Sequence, residues 1–109
     1  HGSEMYGIAG EYTDIAAGCI AGILRFDDSL NSPKVMGKAE LGSKYTNGIF
    51  LGDHCRTGIA NIFMPGVMIG KNSALGPGAI ISKNVPAGTL LIVEQMQTYK
   101  SWGPERYGW

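Results

Sequence analysis

His54 is the candidate general base of this sequence, because histidine is the side chain that most often moves protons in catalysis. An acidic residue, Asp53, precedes it directly. Adjacent residues of a strand or turn point in different directions, so Asp53 is poorly placed to orient the imidazole. The sequence therefore leaves two interpretations of His54 open, a catalytic base and a surface residue.

Three lysines offer a second kind of chemistry, the binding of a phosphate. Lys34, Lys38 and Lys44 lie in a polar, turn-rich stretch that covers residues 27–48. Loops of this length inside compact domains are usually functional or disordered. Lysine ammonium groups can hold a phosphate as point charges. We therefore expect either a phosphate-binding loop or a solvated one.

The composition excludes several classes of function. The 109 residues carry nine Lys and Arg against nine Asp and Glu, so the chain lacks the basic excess of a nucleic-acid-binding protein. No apolar run reaches the roughly 18 residues that cross a bilayer. Cys19 and Cys55 are far apart and outside any CxxC spacing, which argues against a metal site. We interpret both as buried small side chains of a cytoplasmic protein.

The positions of the 17 glycines point to the elements that must hold these residues. Glycine costs ~1 kcal/mol relative to alanine inside a helix, which disfavours a helical bundle. From Leu51 the chain divides into the six-residue blocks LGDHCR, TGIANI, FMPGVM, IGKNSA, LGPGAI and ISKNVP. The first position is large and apolar, the second is mostly glycine, and the fifth is small or medium. Residues 9–26 keep the same phase more weakly, with Cys19 at a fifth position.

A period of six fits neither an α-helix nor a simple alternating strand. It predicts an all-β solenoid in which each block forms one side and three blocks close one triangular coil. The first and fifth residues point inward, and glycine supplies the positive φ of the corners. Coils would stack at about 4.8 Å. We expect about three coils, with Asn61 inside the prism and residues 27–48 projecting from one corner.

The rest of the chain falls into two short ends. His1, Gly2 and Ser3 read as the remnant of a purification tag, so we place the β-helix domain at residues 4–93 and a tail at 94–109. The tail is rich in aromatic residues and is expected to cap the prism or pack against a neighbour, since a short open solenoid needs capping or oligomerisation. We also expect the chain to be a fragment of a longer protein.

Several segments resemble one family of hexapeptide-repeat proteins. They are residues 55–70, residues 16–20 ahead of Leu24-Arg25-Phe26-Asp27, and Gly76-Pro77-Gly78 followed by residues 83–87. The repeat resembles the left-handed parallel β-helix acyltransferases. The segments are more specific and resemble the C-terminal domain of archaeal sugar-1-phosphate nucleotidylyltransferases that are also amino-sugar-1-phosphate acetyltransferases. The resemblance covers about residues 7–95.

This resemblance implies a homotrimer that binds acetyl-CoA in grooves between neighbouring prisms and acetylates an amino-sugar 1-phosphate. It also implies an N-terminal nucleotidylyltransferase domain that these residues do not include. Arg25 and the loop lysines Lys34, Lys38 and Lys44 would bind the sugar phosphate. The candidates for the coenzyme side are the backbone near Thr57, Gly58, Gly76 and Pro77, together with Lys83, and less directly Arg56 and Lys71.

One position departs from the family pattern. The family places an asparagine before its Leu-Arg pair, where this sequence has Ile23. Isoleucine has neither donor nor acceptor, so it cannot hold an amide or an acetyl group. Three readings follow: an acetyltransferase domain, a catalytically silent module that trimerises or regulates a nucleotidylyltransferase, and a different hexapeptide acyltransferase with His54 as its base.

Overall fold

The computed structural model describes residues 2–23, 25–27, 29, 34–35, 38–39, 47–103 and 105, with backbone only at 34–35 and 38–39. Within these ranges the structure contains eleven short β-strands and no α-helix. The strands are β1 (Gly7–Ala9), β2 (Ile20–Ala21), β3 (Lys34–Val35), β4 (Lys38–Ala39), β5 (Ile49–Leu51), β6 (Arg56–Thr57), β7 (Ile62–Phe63), β8 (Met68–Ile69), β9 (Ala74–Leu75), β10 (Ile80–Ile81) and β11 (Leu90–Leu91).

Nine of these strands form the three parallel sheets of a left-handed parallel β-helix, as predicted. Face A contains β2, β7 and β10, face B contains β1, β5 and β8, and face C contains β6, β9 and β11. The chain passes from A to B to C, and we name the corners AB, BC and CA accordingly. Three strands per sheet agree with about three coils, and bridges at Glu4, Asp14 and Val85 add one rung to each face. β3 and β4 form a separate antiparallel hairpin.

The pairing register confirms the phase that was read from the upstream stretch. Ala9 pairs with Leu51, and Ala21 pairs with Phe63, so first positions stack on first positions. The core consists of residues from the first and fifth positions, which are Cys19, Ile49, Leu51, Cys55, Phe63, Val67, Ile69, Leu75, Ala79, Ile81 and Val85. Both cysteines are buried and free, as the fifth position predicts.

Asn61 lies inside the prism, as predicted, and its polar groups are satisfied there. Its side chain is fully buried. Nδ2 donates to the Gly58 carbonyl oxygen at 3.1 Å, and Oδ1 accepts from the Ala79 N–H at 2.9 Å. A buried amide is tolerated when its donor and its acceptor both have partners. Asn61 therefore ties one corner turn to the coil that follows it.

The glycines serve two purposes that the sequence alone did not separate. Some supply the positive φ of the corners, and others allow successive coils to approach closely. At the corners, positive φ occurs at the fourth position of the block, at Tyr12, Gly18, His54, Ala60, Gly66, Asn72, Gly78 and Gly88, and Gly7 in β1 also has a positive φ of 149°. None of the glycines that the sequence blocks put at a second position has positive φ except Gly88, which the structure places at a fourth position. They instead allow the next coil to approach, since a Cβ on Gly58 would lie 2.6 Å from the Pro77 nitrogen. We expected glycine to supply the positive φ of the corners, and among the corner glycines of the described chain those at fourth positions do so, namely Gly18, Gly66, Gly78 and Gly88.

The final coil is two residues shorter than the sequence blocks predict. Ile80 still pairs with Ile62, eighteen residues earlier, whereas Val85 bridges Ile69, sixteen residues earlier. Gly88 consequently occupies the fourth position, and not the second position that we assigned to it. The Asn84 side chain fills the gap, because its Oδ1 accepts from the Met68 N–H at 2.9 Å, where a backbone carbonyl serves in other coils. Because the acceptor is a side chain, the six-residue period did not reveal that this coil is shorter.

Candidate functional site

The predicted phosphate loop leaves the prism at corner AB, between β2 and β5. Arg25, near the start of the loop, reaches the next coil, where its Nη2 lies 3.4 Å from the Pro65 carbonyl oxygen. Its Nη1 lies 3.5 Å from the Ser29 hydroxyl. These distances are at the long end for hydrogen bonds. Arg25 thus connects the loop to the prism at the corner where we expected it to bind a substrate phosphate.

The two ends of the loop are joined at its base. The Asp27 carboxylate accepts from the Ser29 N–H at 2.9 Å. Hydrogen bonds from the Ser29 side chain and then from its backbone lower the pKa of Asp27, because they favour the charged carboxylate. At the other end, the buried Asn47 donates from Nδ2 to the Ser29 carbonyl oxygen at 3.0 Å. The Asn47 carbonyl oxygen also accepts from the Gly66 N–H at 2.7 Å.

Two of the predicted phosphate-binding lysines lie on the hairpin of the loop. Lys34 pairs with Ala39, and Val35 pairs with Lys38, so both lysines belong to one short antiparallel ladder. Lys44 lies outside the described residues. Ile23, which stands at the position of the family's asparagine, lies half-buried at the start of the same corner. Arg25 and the hairpin with Lys34 and Lys38 therefore belong to one loop, which is inserted at corner AB.

Four of the predicted coenzyme residues, Thr57, Gly58, Gly76 and Pro77, lie at or beside corner CA, and polar groups of the first three are hydrogen-bonded to neighbouring coils. The Thr57 side chain is buried, and its Oγ1 accepts from the Ala16 N–H at 3.0 Å. The Gly58 N–H donates to the Leu75 carbonyl oxygen at 2.6 Å, and the Gly76 N–H donates to the Leu91 carbonyl oxygen at 2.7 Å. A coenzyme at this corner would meet the outer surface of Gly58 and Pro77 and not these N–H groups.

An open groove of about 520 Å³ lies beside corner CA, between the corner and the tail. The prism contributes Ile59, Ala60, Pro77, Gly78 and Val93 to its walls, and the tail contributes Gln95 and Gln97. The sequence interpretation assigned no role to the two glutamines. Polar residues two apart in an extended segment share one side, which is the signal that could have identified them.

His54 lies at corner BC, in a position that does not support catalysis with Asp53. Its φ is +58°, and its ring stacks on the exposed Tyr12 ring with centroids 5.1 Å apart and planes 10° apart. Asp53 Oδ1 accepts from the Glu11 N–H at 2.8 Å. The acid is thus bonded to the backbone of the preceding coil. The stack with Tyr12 was not predicted, because it depends on two fourth positions 42 residues apart in the chain being neighbours in space.

The predicted site residues therefore fall on three different edges of one prism. Arg25, the start of the loop and the exposed Lys83 lie at corner AB, and His54 lies with Lys71 at corner BC. Thr57, Gly58, Gly76 and Pro77 lie at or beside corner CA, while Arg56 is exposed on face C. A second groove, of about 680 Å³, runs over face B and ends at Asp53 and Lys71. A site that combines these groups requires more than one prism.

Within the described part of the chain, no group of three or more His, Cys, Asp or Glu side chains is arranged to hold a metal ion. Over the same residues, no helix has the length and apolar character needed to span a membrane.

Known proteins with similar sequences are consistent with this architecture. The chain is 35% identical over 81 residues to a bifunctional sugar-1-phosphate nucleotidylyltransferase/acetyltransferase of Sulfurisphaera tokodaii, which covers 74% of this chain and 20% of the relative. It is 32% identical over 84 residues to the bifunctional protein GlmU of Methanocaldococcus jannaschii, covering 77% of this chain and 20% of the relative. The chain thus spans about a fifth of the length of these relatives. No model of a protein family matches it.

Proposed function

The chain belongs to the bifunctional sugar-1-phosphate nucleotidylyltransferase/acetyltransferases, where it corresponds to their C-terminal part, and we propose that it is the acetyl-CoA-dependent domain that acetylates an amino-sugar 1-phosphate. The observation that supports this proposal is corner AB, where Arg25 lies at the start of the loop whose hairpin contains Lys34 and Lys38. A phosphate monoester is the group that such a cluster of cations would recognise.

Two requirements of the reaction lie beyond this corner. Acetyl transfer needs a base that takes the proton of the amine and donors that stabilise the oxyanion. Among the described residues, no histidine lies at corner AB. The coenzyme would supply the acetyl group from a groove that includes Gly58, Pro77 and Gln95, with Lys83 reaching its phosphates from another prism. The coenzyme requirement calls for a second copy of the chain, whereas the base of the related family lies upstream of these residues.

We therefore include a homotrimer in the proposal, and the support for it is the apolar exterior. On face A the outward side chains of Ile20, Ile62 and Ile80 form an exposed ladder, and Ile8 and Met68 are exposed on face B. Exposed apolar surface of this kind is typical of protein interfaces. Packing face A of one copy on face B of the next gives a heterologous contact that can close into a ring.

We also propose a cytoplasmic location, which the buried free thiols of Cys19 and Cys55 suit.

A catalytically silent trimerisation or regulatory module is the second candidate. Ile23 favours it, because an apolar side chain replaces the family's asparagine at the corner that would bind substrate. The engaged N–H groups of Gly58 and Gly76 favour it as well. A different hexapeptide acyltransferase that uses His54 is the third candidate, and it has less support because His54 stacks on Tyr12 and Asp53 bonds elsewhere.

The decisive experiment combines mass, binding and turnover. Sedimentation would give the mass of the assembly, and calorimetry would measure acetyl-CoA binding. A thiol-release assay would then follow turnover with glucosamine 1-phosphate and galactosamine 1-phosphate. Turnover supports the first candidate, and a trimer that does not bind millimolar acetyl-CoA supports the second. Loss of turnover in the His54→Asn variant would support the third candidate, an acyltransferase that uses His54 as its base.

A variant at position 23 tests the substrate corner directly. Ile23→Asn restores the amide of the family pattern, so we expect a higher kcat or a lower KM for the amino sugar. Ile23→Leu is the control, since it keeps the apolar character. Equal kinetics in the two variants would show that position 23 does not contact the substrate.

A further inference from the structure

Asn47 is a buried polar residue that the proposed function does not use. Its side chain is 1% exposed, at the point where the loop returns to β5. Buried amides are costly unless they are hydrogen-bonded, so a buried asparagine beside a solvent-facing loop requires an explanation. The core of the prism does not supply one, because the Asn47 side chain bonds to the loop.

The bonds of Asn47 join three separate parts of the chain. Nδ2 donates to the carbonyl oxygen of Ser29, eighteen residues earlier, at 3.0 Å. The Asn47 carbonyl oxygen accepts from Gly66 in the next coil at 2.7 Å. Ser29 in turn donates its N–H to Asp27 at 2.9 Å. We call Asp27, Ser29, Asn47 and Gly66 the loop clamp.

The clamp joins the two ends of the loop that contains the hairpin. β3 and β4 lie between Ser29 and Asn47, so fixing these two residues closes the loop at its base. Closing a flexible loop costs configurational entropy, and a preformed closure removes that cost from ligand binding. Lys34 and Lys38 would then be held beside the prism before any ligand arrives.

We infer that Asn47 is a positioning residue, which holds the β3–β4 hairpin closed so that its lysines bind the phosphate of the sugar substrate. This inference rests on the proposed function, since it assigns the phosphate to the loop. Asp27 assists by fixing Ser29. Neither residue contacts the substrate, and both act through the placement of the hairpin.

The test compares two buried asparagines in the 109-residue chain. Asn47→Ala removes the side-chain hydrogen bond that joins Asn47 to Ser29 in the clamp. Asn61→Ala is the matched control, because Asn61 is equally buried and also bonds backbone groups, but at corner CA. Asp27→Ala is a second clamp variant that leaves the core untouched, since Asp27 is exposed. Calorimetry gives the Kd of glucosamine 1-phosphate and of acetyl-CoA, and hydrogen exchange reports on the amides of β3 and β4.

We expect Asn47→Ala to bind glucosamine 1-phosphate about tenfold more weakly, the equivalent of one lost hydrogen bond. Asp27→Ala should weaken it about threefold. Both should speed exchange in the hairpin and leave the Kd of acetyl-CoA within about twofold, whereas Asn61→Ala should leave the hairpin unchanged.

Each contrary outcome has a separate meaning. Equal hairpin exchange in Asn47→Ala and Asn61→Ala would overturn the clamp. Faster exchange with an unchanged Kd would overturn the positioning role. If the unmodified chain does not bind glucosamine 1-phosphate, the proposed function and the role in phosphate binding both fail, and the exchange comparison then decides the clamp alone.

Discussion

Corner AB differs from the other two corners in how closely successive coils approach one another. At corners BC and CA a second-position glycine lies against the backbone of the next coil, and a Cβ on Gly52 would lie 2.6 Å from the Lys71 nitrogen. At corner AB the same position is Gly22, Met64 or Ser82. A Cβ on Gly22 would lie 3.6 Å from the Pro65 side chain and 3.9 Å from the Phe63 carbonyl oxygen, which are ordinary van der Waals contacts. A side chain at the second position would therefore collide with the next coil at corners BC and CA, which we call closed corners. Corner AB has room for one, and we call it the open corner.

The open corner contains both departures from the regular coil. The loop is inserted there between β2 and β5, and the last coil loses two residues there after Ile81. A corner without close backbone stacking can accept insertions and deletions with little disturbance, whereas a closed corner sets the distance between coils. This division separates the part of the prism that maintains the fold from the part that is available for a binding loop.

Gly52→Ala should have the largest effect on stability. The added methyl group would collide with the Lys71 backbone, which cannot move without separating two coils. We expect a loss of about 3 kcal/mol in the free energy of unfolding, at the upper end for overpacked sites. Urea denaturation followed by circular dichroism measures it. A loss below about 1 kcal/mol would mean that corner BC can open, and the contrast with corner AB would fail.

Gly78→Ala should have the next largest effect, for a different reason. Gly78 has φ +71° and no heavy atom within 4 Å of its ideal Cβ, so the penalty is purely conformational. A left-handed residue with a side chain costs about 1–2 kcal/mol. Ala60→Gly is the reverse control, because Ala60 already has φ +56°. Urea denaturation should show opposite signs for the two variants, and equal signs would contradict this account.

The six-residue period was sufficient to predict the triangular prism, its inward positions and the burial of both cysteines. Large and small residues at fixed positions determine which side chains enter the core. The period could not separate the two uses of glycine, since close approach and positive φ select the same residue. It also missed the shortened coil, because Val85 is apolar and suits an inward position in either register.

The candidate site was less predictable than the fold. Residue type identified Arg25 and the loop lysines, but the loop clamp depends on Asn47, which belongs to no repeat position and lies eighteen residues from Ser29. The separation of His54 from the loop follows from counting corners. The hydrogen bond from the Ala16 N–H to the Thr57 side chain could not be predicted in this way, because it joins a side chain of one coil to the backbone of another.

Asn84→Ala should have a smaller effect and tests the shortened coil. The variant leaves the Met68 N–H without its acceptor, but this group lies on the exposed side of face B, where water can replace the lost oxygen. We expect a loss of about 1 kcal/mol, the usual value of one hydrogen bond. Lys83→Ala is the control from the same turn. A loss equal to that of the control would show that Asn84 does not complete the coil.

Gly22→Ala should have the smallest effect, with the opposite sign to Gly52→Ala. Gly22 lies outside the left-handed region, and its ideal Cβ would make only ordinary van der Waals contacts. Alanine restricts the unfolded chain more than glycine does, so at a compatible position it stabilises by about 0.5 kcal/mol. The same urea titration measures both variants. If Gly22→Ala were as destabilising as Gly52→Ala, corner AB would be packed like the others, and the loop would need a different explanation for its position.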